Sequence, residues 1–375
     1  MVFADVLDRV VENLDRYVGE DDLGDPFFSG SGYKAYPFRV ENFREIRRVE
    51  TGRRMAFVDG GNQEVVGAPN FSVQINRVFF NVFRDKKRVL DRRIPRRIEF
   101  FSVTFSRFRH NEIFYDTSIF PLSEEFEPFL PDVRDLSFSS MDRSVMQGNL
   151  RADISIVSSI SRRFAEWEFS RHVVENELEE GDIIVMDGTL QTAFTNESKY
   201  SRALYELAKK KGVIVTGLTK TCGLFTTTGL SLLGAARKFA NNNNIRYPMW
   251  YYYPVAEAFS PVHEAVILLV KLNPMSERIF RFEIYRDQAK KLSIKQIGEI
   301  IGCLAQNSGD ITFPGYPYGL IDADSNARVR SDEMQRYKYA LISAMSRRGK
   351  WKKFARHIQA KDAHDKLNQI TRWES

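Results

Sequence analysis

Two apolar stretches of the sequence each end in an aspartate that is followed by a glycine. Asp59 ends the stretch FVDGG, and Asp187 ends the stretch VMDGT. We expect each to be a buried strand that stops at its Asp-Gly turn, which puts both carboxylates at the carboxyl edge of an α/β sheet, where ligand sites usually form. The glycines let a backbone or a ligand approach closely. One such strand end is more typical of an ordinary turn, but two in one chain favour a site.

A third carboxylate, Glu168, lies in a predicted helix directly before the second of these strands. The order strand-aspartate, helix-glutamate, strand-aspartate is typical of ribonuclease H-like folds. Mg²⁺ and Mn²⁺ are hard cations that prefer oxygen ligands, and two such ions can activate the attacking water and stabilise the leaving oxygen of a phosphodiester. Glu166, two positions earlier, faces another side of the helix and is the alternative to Glu168.

The densest basic run of the chain lies between residues 84 and 97. Its arginines include Arg92, Arg93, Arg96 and Arg97. One interpretation is a surface that binds nucleic-acid phosphates, because arginine and lysine supply affinity that is independent of base sequence. The other is a solvated hairpin or an edge strand that its charge protects from pairing with other chains. Lys220, in the segment GLTKT, presents the same choice between a phosphate contact and a plain surface lysine.

The hydrophobic pattern predicts strands and helices that follow one another along the chain. Predicted strands cover residues 55–58, 70–83, 97–108, 112–120, 182–187, 213–218, 265–272 and 279–285. Predicted helices cover residues 1–22, 151–180, 197–211, 294–306 and 331–345, with a surface helix from 347 onward, and residues 314–320 form a rigid turn. This order indicates an α/β fold with a ribonuclease H-like mixed sheet flanked by helices. We expect one domain over residues 1–375, with a core at about 50–330, a basic, β-rich or loop insertion at about 84–150 and a helical tail over 331–375.

The composition is that of a folded soluble protein, with 43% hydrophobic and 28% charged residues. Lysine and arginine number 55 and aspartate and glutamate 49, so the net charge is +6, which is compatible with a polyanionic partner. The two cysteines are far apart, which disfavours a disulfide framework or a cysteine zinc site and fits a reducing cytoplasm. The start of the chain lacks a secretory signal pattern, and the best apolar run, residues 265–272, is too short to cross a bilayer.

Two other enzyme classes share parts of this pattern. The segment VMDGTL resembles the opening motif of haloacid dehalogenase-type phosphatases, but Val185 occupies the position of their nucleophile. The paired Asp-Gly turns also resemble those of actin-like ATPases. Those enzymes need phosphate loops rich in small residues, for which residues 229–234 are a poor substitute.

The segment PGYPYGLIDAD, residues 314–324, is the most specific stretch of the chain. Together with FVDGG, the Glu168 helix, VMDGTL and GLTKT, it resembles the NurA nuclease family of archaea. The resemblance runs from about Met55 to Asp324.

The resemblance implies a ribonuclease H-like core and a manganese-dependent nuclease, with Mg²⁺ as the other possible ion. It implies 5′–3′ exonuclease and endonuclease activity on single- and double-stranded DNA. It also implies a homodimer that acts with the hexameric HerA translocase in resecting DNA ends for recombinational repair.

Family residues can be carried over position by position. Asp59, Glu168 and Asp187 match the metal-binding carboxylates, and Tyr316 matches the tyrosine of the PGYPY motif, whose hydroxyl would orient a phosphate or a water. Asp324 stands where the family commonly has a histidine, and it cannot supply a neutral imidazole or a cationic donor at pH 7.

The sequence therefore predicts a cytoplasmic, metal-dependent DNA nuclease that uses metal-activated water and no covalent intermediate. The main alternative is a non-catalytic subunit that clamps DNA for the translocase, which the aspartate at position 324 favours. An actin-like ATPase is the weaker alternative. His263 is a candidate substitute for the missing histidine, although a lone histidine at a strand start is more often structural.

Overall fold

The computed structural model describes residues 3–17 and 22–358. Helices in these residues are α1 (Phe3–Tyr17), α2 (Ile154–Glu177), α3 (Glu197–Lys211), α4 (Leu232–Asn242), α5 (Arg286–Ala289), α6 (Ile294–Gln306), α7 (Tyr318–Ala327) and α8 (Ser331–Arg347). Short 3₁₀ helices cover Val40–Asn42, Glu124–Phe129 and Val133–Asp135. Residues 351–358 are also helical. None of the described helices is long and apolar enough to cross a membrane.

Strands precede and separate these helices. They are β1 (Pro26–Phe27), β2 (Tyr33–Ala35), β3 (Phe43–Glu45), β4 (Arg54–Ala68), β5 (Phe71–Arg84), β6 (Lys87–Arg88), β7 (Arg97–Arg109), β8 (Glu112–Pro121), β9 (Ser137–Ser139), β10 (Ile183–Asp187), β11 (Ile214–Thr219), β12 (Phe225–Thr226), β13 (Trp250–Ser260), β14 (His263–Lys271) and β15 (Phe280–Tyr285). All except β1 and β12 belong to a mixed sheet of 13 strands. The predicted α/β fold with a mixed sheet flanked by helices is confirmed.

One compact unit comprises residues 1–51, 187–190 and 216–317. Strands β13, β14, β15 and β11 are antiparallel neighbours in that order, and β2 and β3 pair with β13. Helix α4 and strand β13 were not predicted. In β13, Pro254 interrupts the aromatic segment, and proline is unfavourable inside a strand. The register of β13 on β14 shifts between Tyr252 and Ala256, and Pro254 lies in that shift.

The other unit comprises residues 52–186, 191–215 and 318–375. Strand β10 runs parallel to β4, and β4, β5, β7, β8 and β9 follow as antiparallel neighbours. Helix α2 packs on β4, β5 and β7, and helix α7 packs on β4 and β5. Asp153 caps α2 by accepting a hydrogen bond from the backbone N–H of Ser155. The helix predicted over residues 151–180 ends at Glu177, since Leu178 is already extended, and Gly181 lies in the turn before β10.

Strand β4 does not stop at Asp59, contrary to the prediction. It continues to Ala68, and Asp59 pairs with Phe79 in the middle of the ladder with β5. The strand continues because its second half regains apolar residues, and Val65 and Val66 are buried in a cluster with Ile75 and Val329. The hairpin turn therefore comes at residues 69–70.

The helices predicted near the two ends of the chain lie partly within the described residues. The amphipathic helix expected over residues 1–22 is present as α1, with Phe3, Leu7 and Leu14 exposed. The helix predicted from residue 331 is α8, and the helical tail is observed as far as residue 358. The remaining tail residues lie outside the described part of the chain.

A fully buried carboxylate, Glu283 on β15, organises the interior of the first unit. Its Oε1 lies 2.5 Å from Nη2 of Arg281, and its Oε2 lies 3.0 Å from Nε2 of His263. Its Oε2 also accepts a hydrogen bond of 2.7 Å from the backbone N–H of Leu190, so it holds the loop that follows β10. Tyr33 OH lies 3.0 Å from the other ring nitrogen of His263. Both nitrogens of His263 are thus engaged within the core, which supports the structural interpretation of this histidine.

We expect Glu283→Gln to destabilise the protein at neutral pH. Burial raises the pKa of Glu283, but the charge of Arg281 and the hydrogen bond with His263 outweigh that effect and hold the pKa below its ordinary 4.5. A carboxyl with a lowered pKa stabilises the fold above its unfolded pKa and loses that contribution as the pH falls. Removing one partner of a buried ion pair costs about 3–5 kcal/mol.

The measurement is the free energy of unfolding in urea for both proteins from pH 7 down to pH 3. The difference between wild type and variant should be constant at neutral pH and shrink below pH 4.5. A difference that stays the same across this range would show that the charge of Glu283 contributes nothing.

Candidate metal centre

The parallel register of β10 on β4 determines the position of Asp187. Ile183 pairs with Met55 and Met186 pairs with Val58. Near the start of this ladder, Oδ1 of Asp182 accepts a hydrogen bond of 2.8 Å from the backbone N–H of Arg54. Asp187 is covalently bonded to Met186, so it follows in the same register beside Asp59. The parallel neighbour ends at this point, and the sheet edge expected at Asp59 is created by the end of β10.

Three aspartates converge at this edge. One carboxylate oxygen from each of Asp59, Asp187 and Asp324 lies within 4.8 Å of the other two, and all three residues are partly exposed. Like charges at such distances repel one another, and oxygen donors of this kind suit hard divalent cations. The three side chains could therefore bind a metal ion. Asp324, whose role was in doubt from the sequence, belongs to the cluster.

Two side chains contact the carboxylate of Asp187. The hydroxyl of Tyr316 donates a hydrogen bond of 3.0 Å to Oδ1, and Nζ of Lys220 lies 2.7 Å from Oδ2. Tyr316 is fully buried, whereas the Lys220 side chain is 37% exposed. The backbone N–H of Gly188 donates to the carbonyl of Leu218, which fixes the loop that carries Asp187. Tyr316 and Lys220, both predicted from the sequence as site residues, thus lie at this aspartate.

Asp324 is positioned by helix α7. Nδ2 of Asn81 on β5 donates to the carbonyl of Gly319 at 2.8 Å and to Oδ2 of Asp322 at 2.7 Å. Asp322 also pairs with Arg88. These contacts fix the first two turns of α7 on the sheet. The sequence pattern did not predict this helix, since the glycine and proline residues of PGYPYGL favour a turn.

Glu166 of α2 lies against the backbone that follows Asp59. A Cβ atom added to Gly60 would lie within 3.0 Å of the Glu166 side chain, which would then have to shift. Arg162 pairs with Glu166 and donates a hydrogen bond of 3.3 Å to the carbonyl of Gly60. Glu166 is 7% exposed.

The carboxylate of Glu168 contacts two other side chains of helix α2. Nη2 of Arg171 lies 2.6 Å from Oε1 of Glu168, and Nε2 of His172 lies 3.5 Å from the same atom. Burial raises the pKa of Glu168, but the hydrogen bonds from His172 and Arg171 outweigh it and lower the pKa. Glu168 is not among the carboxylates that cluster in the described residues, and its assignment as a metal ligand stays a prediction.

The basic segment between β5 and β7 is fixed by the chain itself. Nη2 of Arg96 donates to the carbonyls of Val89 and Leu90 at 3.2 and 2.8 Å. Oε1 of the buried Glu177 accepts from the backbone N–H of Ile94 at 2.9 Å. Arg96 therefore stabilises the loop.

The other three arginines predicted to contact DNA, Arg92, Arg93 and Arg97, are exposed. Arg93 lies 3.9 Å from Glu179, and Arg97 lies 3.3 Å from Glu99. Arg92 forms no salt bridge with a carboxylate of the described residues. A phosphate contact by these side chains stays a prediction.

The chain was compared with known proteins. No curated protein matches its sequence. Its structure matches that of the NurA nuclease from Sulfolobus solfataricus, with 11% identity, a TM-score of 0.51 and coverage of 92% of this chain and 98% of the other. A structure of Ciona intestinalis endonuclease V in complex with DNA matches with 11% identity, a TM-score of 0.33 and coverage of 75% and 89%. The model of the NurA domain matches residues 53–329, most of the sequence, and the chain therefore belongs to the NurA family.

Proposed function

We propose that this protein is a metal-dependent nuclease that hydrolyses the phosphodiester bonds of DNA. The observation that carries the proposal is the convergence of Asp59, Asp187 and Asp324 in a member of a nuclease family. Carboxylates so close to one another suit a divalent ion, and a sheet edge that is partly open to solvent suits a large substrate.

The chain's own residues have distinct parts in this proposal. Asp59, Asp187 and Asp324 would hold the ions, and the carboxylate of Glu166 lies against Gly60, the residue that follows Asp59. A divalent ion held there would supply a water of lowered pKa and positive charge for the scissile phosphate. Tyr316 orients the Asp187 carboxylate through its hydroxyl.

Lys220 has two roles in this proposal, one at Asp187 and one at the substrate. Its ammonium group neutralises Asp187 in the structure. Because the lysine side chain is flexible and its charge is a point charge, it can transfer to a substrate phosphate when a cation takes its place on the carboxylate.

The family resemblance extends the proposal to finer properties. It supports Mn²⁺ as the preferred ion, 5′–3′ exonuclease and endonuclease activity on single- and double-stranded DNA, and a homodimer. It also supports a HerA-type translocase as partner in DNA end resection, in the cytoplasm. The net charge of +6 is consistent with DNA as the polyanionic partner.

We expect Asp59→Asn to abolish metal-dependent cutting. Loss of a residue that only supports a metal ligand typically costs about 10–100-fold, so loss of a direct ligand should cost more than about 100-fold. The assay incubates purified protein with end-labelled DNA and Mn²⁺, Mg²⁺ or EDTA. The control, Asp332→Asn, makes the same change at an exposed position of α8 and should retain wild-type activity.

Cutting by Asp59→Asn at the wild-type rate would reject the proposed site. Binding of DNA by the wild-type protein without cutting in either metal would favour the non-catalytic clamp. Hydrolysis of ATP by the purified chain alone would favour the ATPase alternative.

A pair of glutamine variants separates the two glutamates of α2. Glu166→Gln should lower the cutting rate by about 10-fold or more and raise the Mn²⁺ concentration needed, because its carboxylate lies against Gly60, the residue that follows Asp59. Glu168→Gln should lower the melting temperature, because Arg171 and His172 lose their shared acceptor, while the metal response is kept. The reverse assignment, with metal response changed only by Glu168→Gln, would restore Glu168 as the ligand.

Variants of the basic segment should distinguish arginines that bind DNA from arginines that stabilise the loop. Arg92→Gln should lower the slope of log affinity against log salt by about 0.9 on double-stranded DNA, the value for one phosphate contact. Arg96→Gln should lower the melting temperature, because the arginine fixes its own loop. Arg336→Gln on α8 is the control for a lost surface charge. An equal salt slope for wild type and Arg92→Gln would remove this residue from the DNA surface.

A further inference from the structure

A continuous stack of cationic and aromatic side chains leads away from Asp187. Lys220 Nζ lies 5.8 Å from the ring centroid of Tyr316, and the Phe313 ring stacks on Tyr316 at 5.1 Å with an interplanar angle of 21°. The guanidinium of Arg278 then lies over Phe313, with Cζ 4.7 Å from the ring centroid. We call these four side chains, from Lys220 to Arg278, the cation–aromatic ladder. Its inner end is held on Asp187 by Tyr316 and Lys220.

The outer end of the ladder is an exposed arginine. Arg278 is exposed, and no carboxylate of the described residues lies within salt-bridge distance of its guanidinium. A guanidinium that lies on an aromatic face keeps the N–H groups of its edge free for an oxyanion. Such a group binds phosphate in a fixed orientation.

The backbone around the ladder is built to hold this arrangement. Gly315 has a φ of +89°, and a Cβ atom there would lie 2.7 Å from Oγ of Ser276. Ser276 Oγ accepts a hydrogen bond of 3.0 Å from the backbone N–H of Arg278. Asn273 Nδ2 donates to the carbonyl of Ser308 at 3.0 Å. The loop that carries Arg278 is thus joined to the loop that carries Phe313, and Arg278 stays over the ring.

We propose that Arg278 binds a further backbone phosphate of a DNA strand that reaches the metal centre. This inference rests on the proposed nuclease function and adds a substrate-binding position to it. Three aspartates repel a polyanion, so a strand at this site needs nearby cations to hold it. Phe313 acts as a positioning residue, since it touches the guanidinium and keeps its plane fixed.

The experiment measures binding of a single-stranded oligonucleotide to the full chain in EDTA, where no cutting takes place. Arg278→Gln should lower the slope of log affinity against log salt by about 0.7, the value for one phosphate contact on a single strand. Arg278→Lys keeps the charge and should restore the slope. Arg246→Gln, which removes another exposed arginine of the same unit, should leave the slope at its wild-type value.

Further readouts separate a substrate contact from a structural role. With Mn²⁺ present, Arg278→Gln should raise KM for DNA more than it lowers kcat, and its melting temperature should equal that of wild type. Phe313→Leu should weaken binding in the presence of an intact Arg278. An unchanged salt slope for Arg278→Gln, or an equal loss for Arg246→Gln, would overturn the inference. Because binding is measured without metal, its outcome is independent of the Asp59→Asn cutting assay that tests the nuclease function.

Discussion

Mutual repulsion of the carboxylates of Asp59, Asp187 and Asp324 is the constraint around which the candidate site is built. Two unit charges about 4 Å apart repel by about 4 kcal/mol at an effective dielectric constant of about 20. Side chains on flexible loops would move apart under that force. The oxygens of all three nevertheless lie within 4.8 Å of one another. Lys220 on Asp187 and Arg328, 3.3 Å from Asp324, offset part of the charge. A divalent cation would offset the rest.

The three aspartates stay close together because contacts elsewhere in the fold hold the strands and the helix that carry them. Asp59 is in the middle of a long antiparallel ladder, and Asp187 follows a parallel ladder that Asp182 anchors at its start. Asp324 belongs to a helix that Asn81 holds on the sheet. The loop after Asp187 is further tied to Glu283, whose ionised form is favoured by Arg281 and His263. Glu283, in the interior of its unit, therefore helps to position Asp187, which belongs to the same unit.

The local pattern of a buried apolar run followed by Asp-Gly predicted two of the three clustered aspartates, and the third, Asp324, was named only through the family resemblance. The local pattern failed to predict the surroundings of Asp59. This residue lies within β4, and the sheet edge beside it is formed by the end of the neighbouring strand β10. Strand pairing is a long-range property that a local pattern does not contain. The choice between Glu166 and Glu168 has a similar cause. Helix α2 is buried on several sides, so hydrophobic spacing does not tell which glutamate lies toward β4. Helix α7 was missed because its turn-forming residues precede a helix that tertiary contacts stabilise.

The aspartate at position 324 changes the chemistry of the cluster in a definite direction. A histidine would offer a neutral nitrogen, which suits Zn²⁺, Cu²⁺ and Fe²⁺ as well as harder ions. Asp324 offers an anionic oxygen, so all three clustered residues carry hard donors, the kind that Mg²⁺ and Mn²⁺ prefer. The added negative charge would also strengthen the repulsion of the proposed DNA substrate when no metal is bound. Cations beside the cluster would therefore contribute more to DNA binding with aspartate at position 324 than with histidine. Lys220 and Arg278 are the two cations of the cation–aromatic ladder. Position 324 and the outer end of the ladder are in this sense two parts of one electrostatic arrangement.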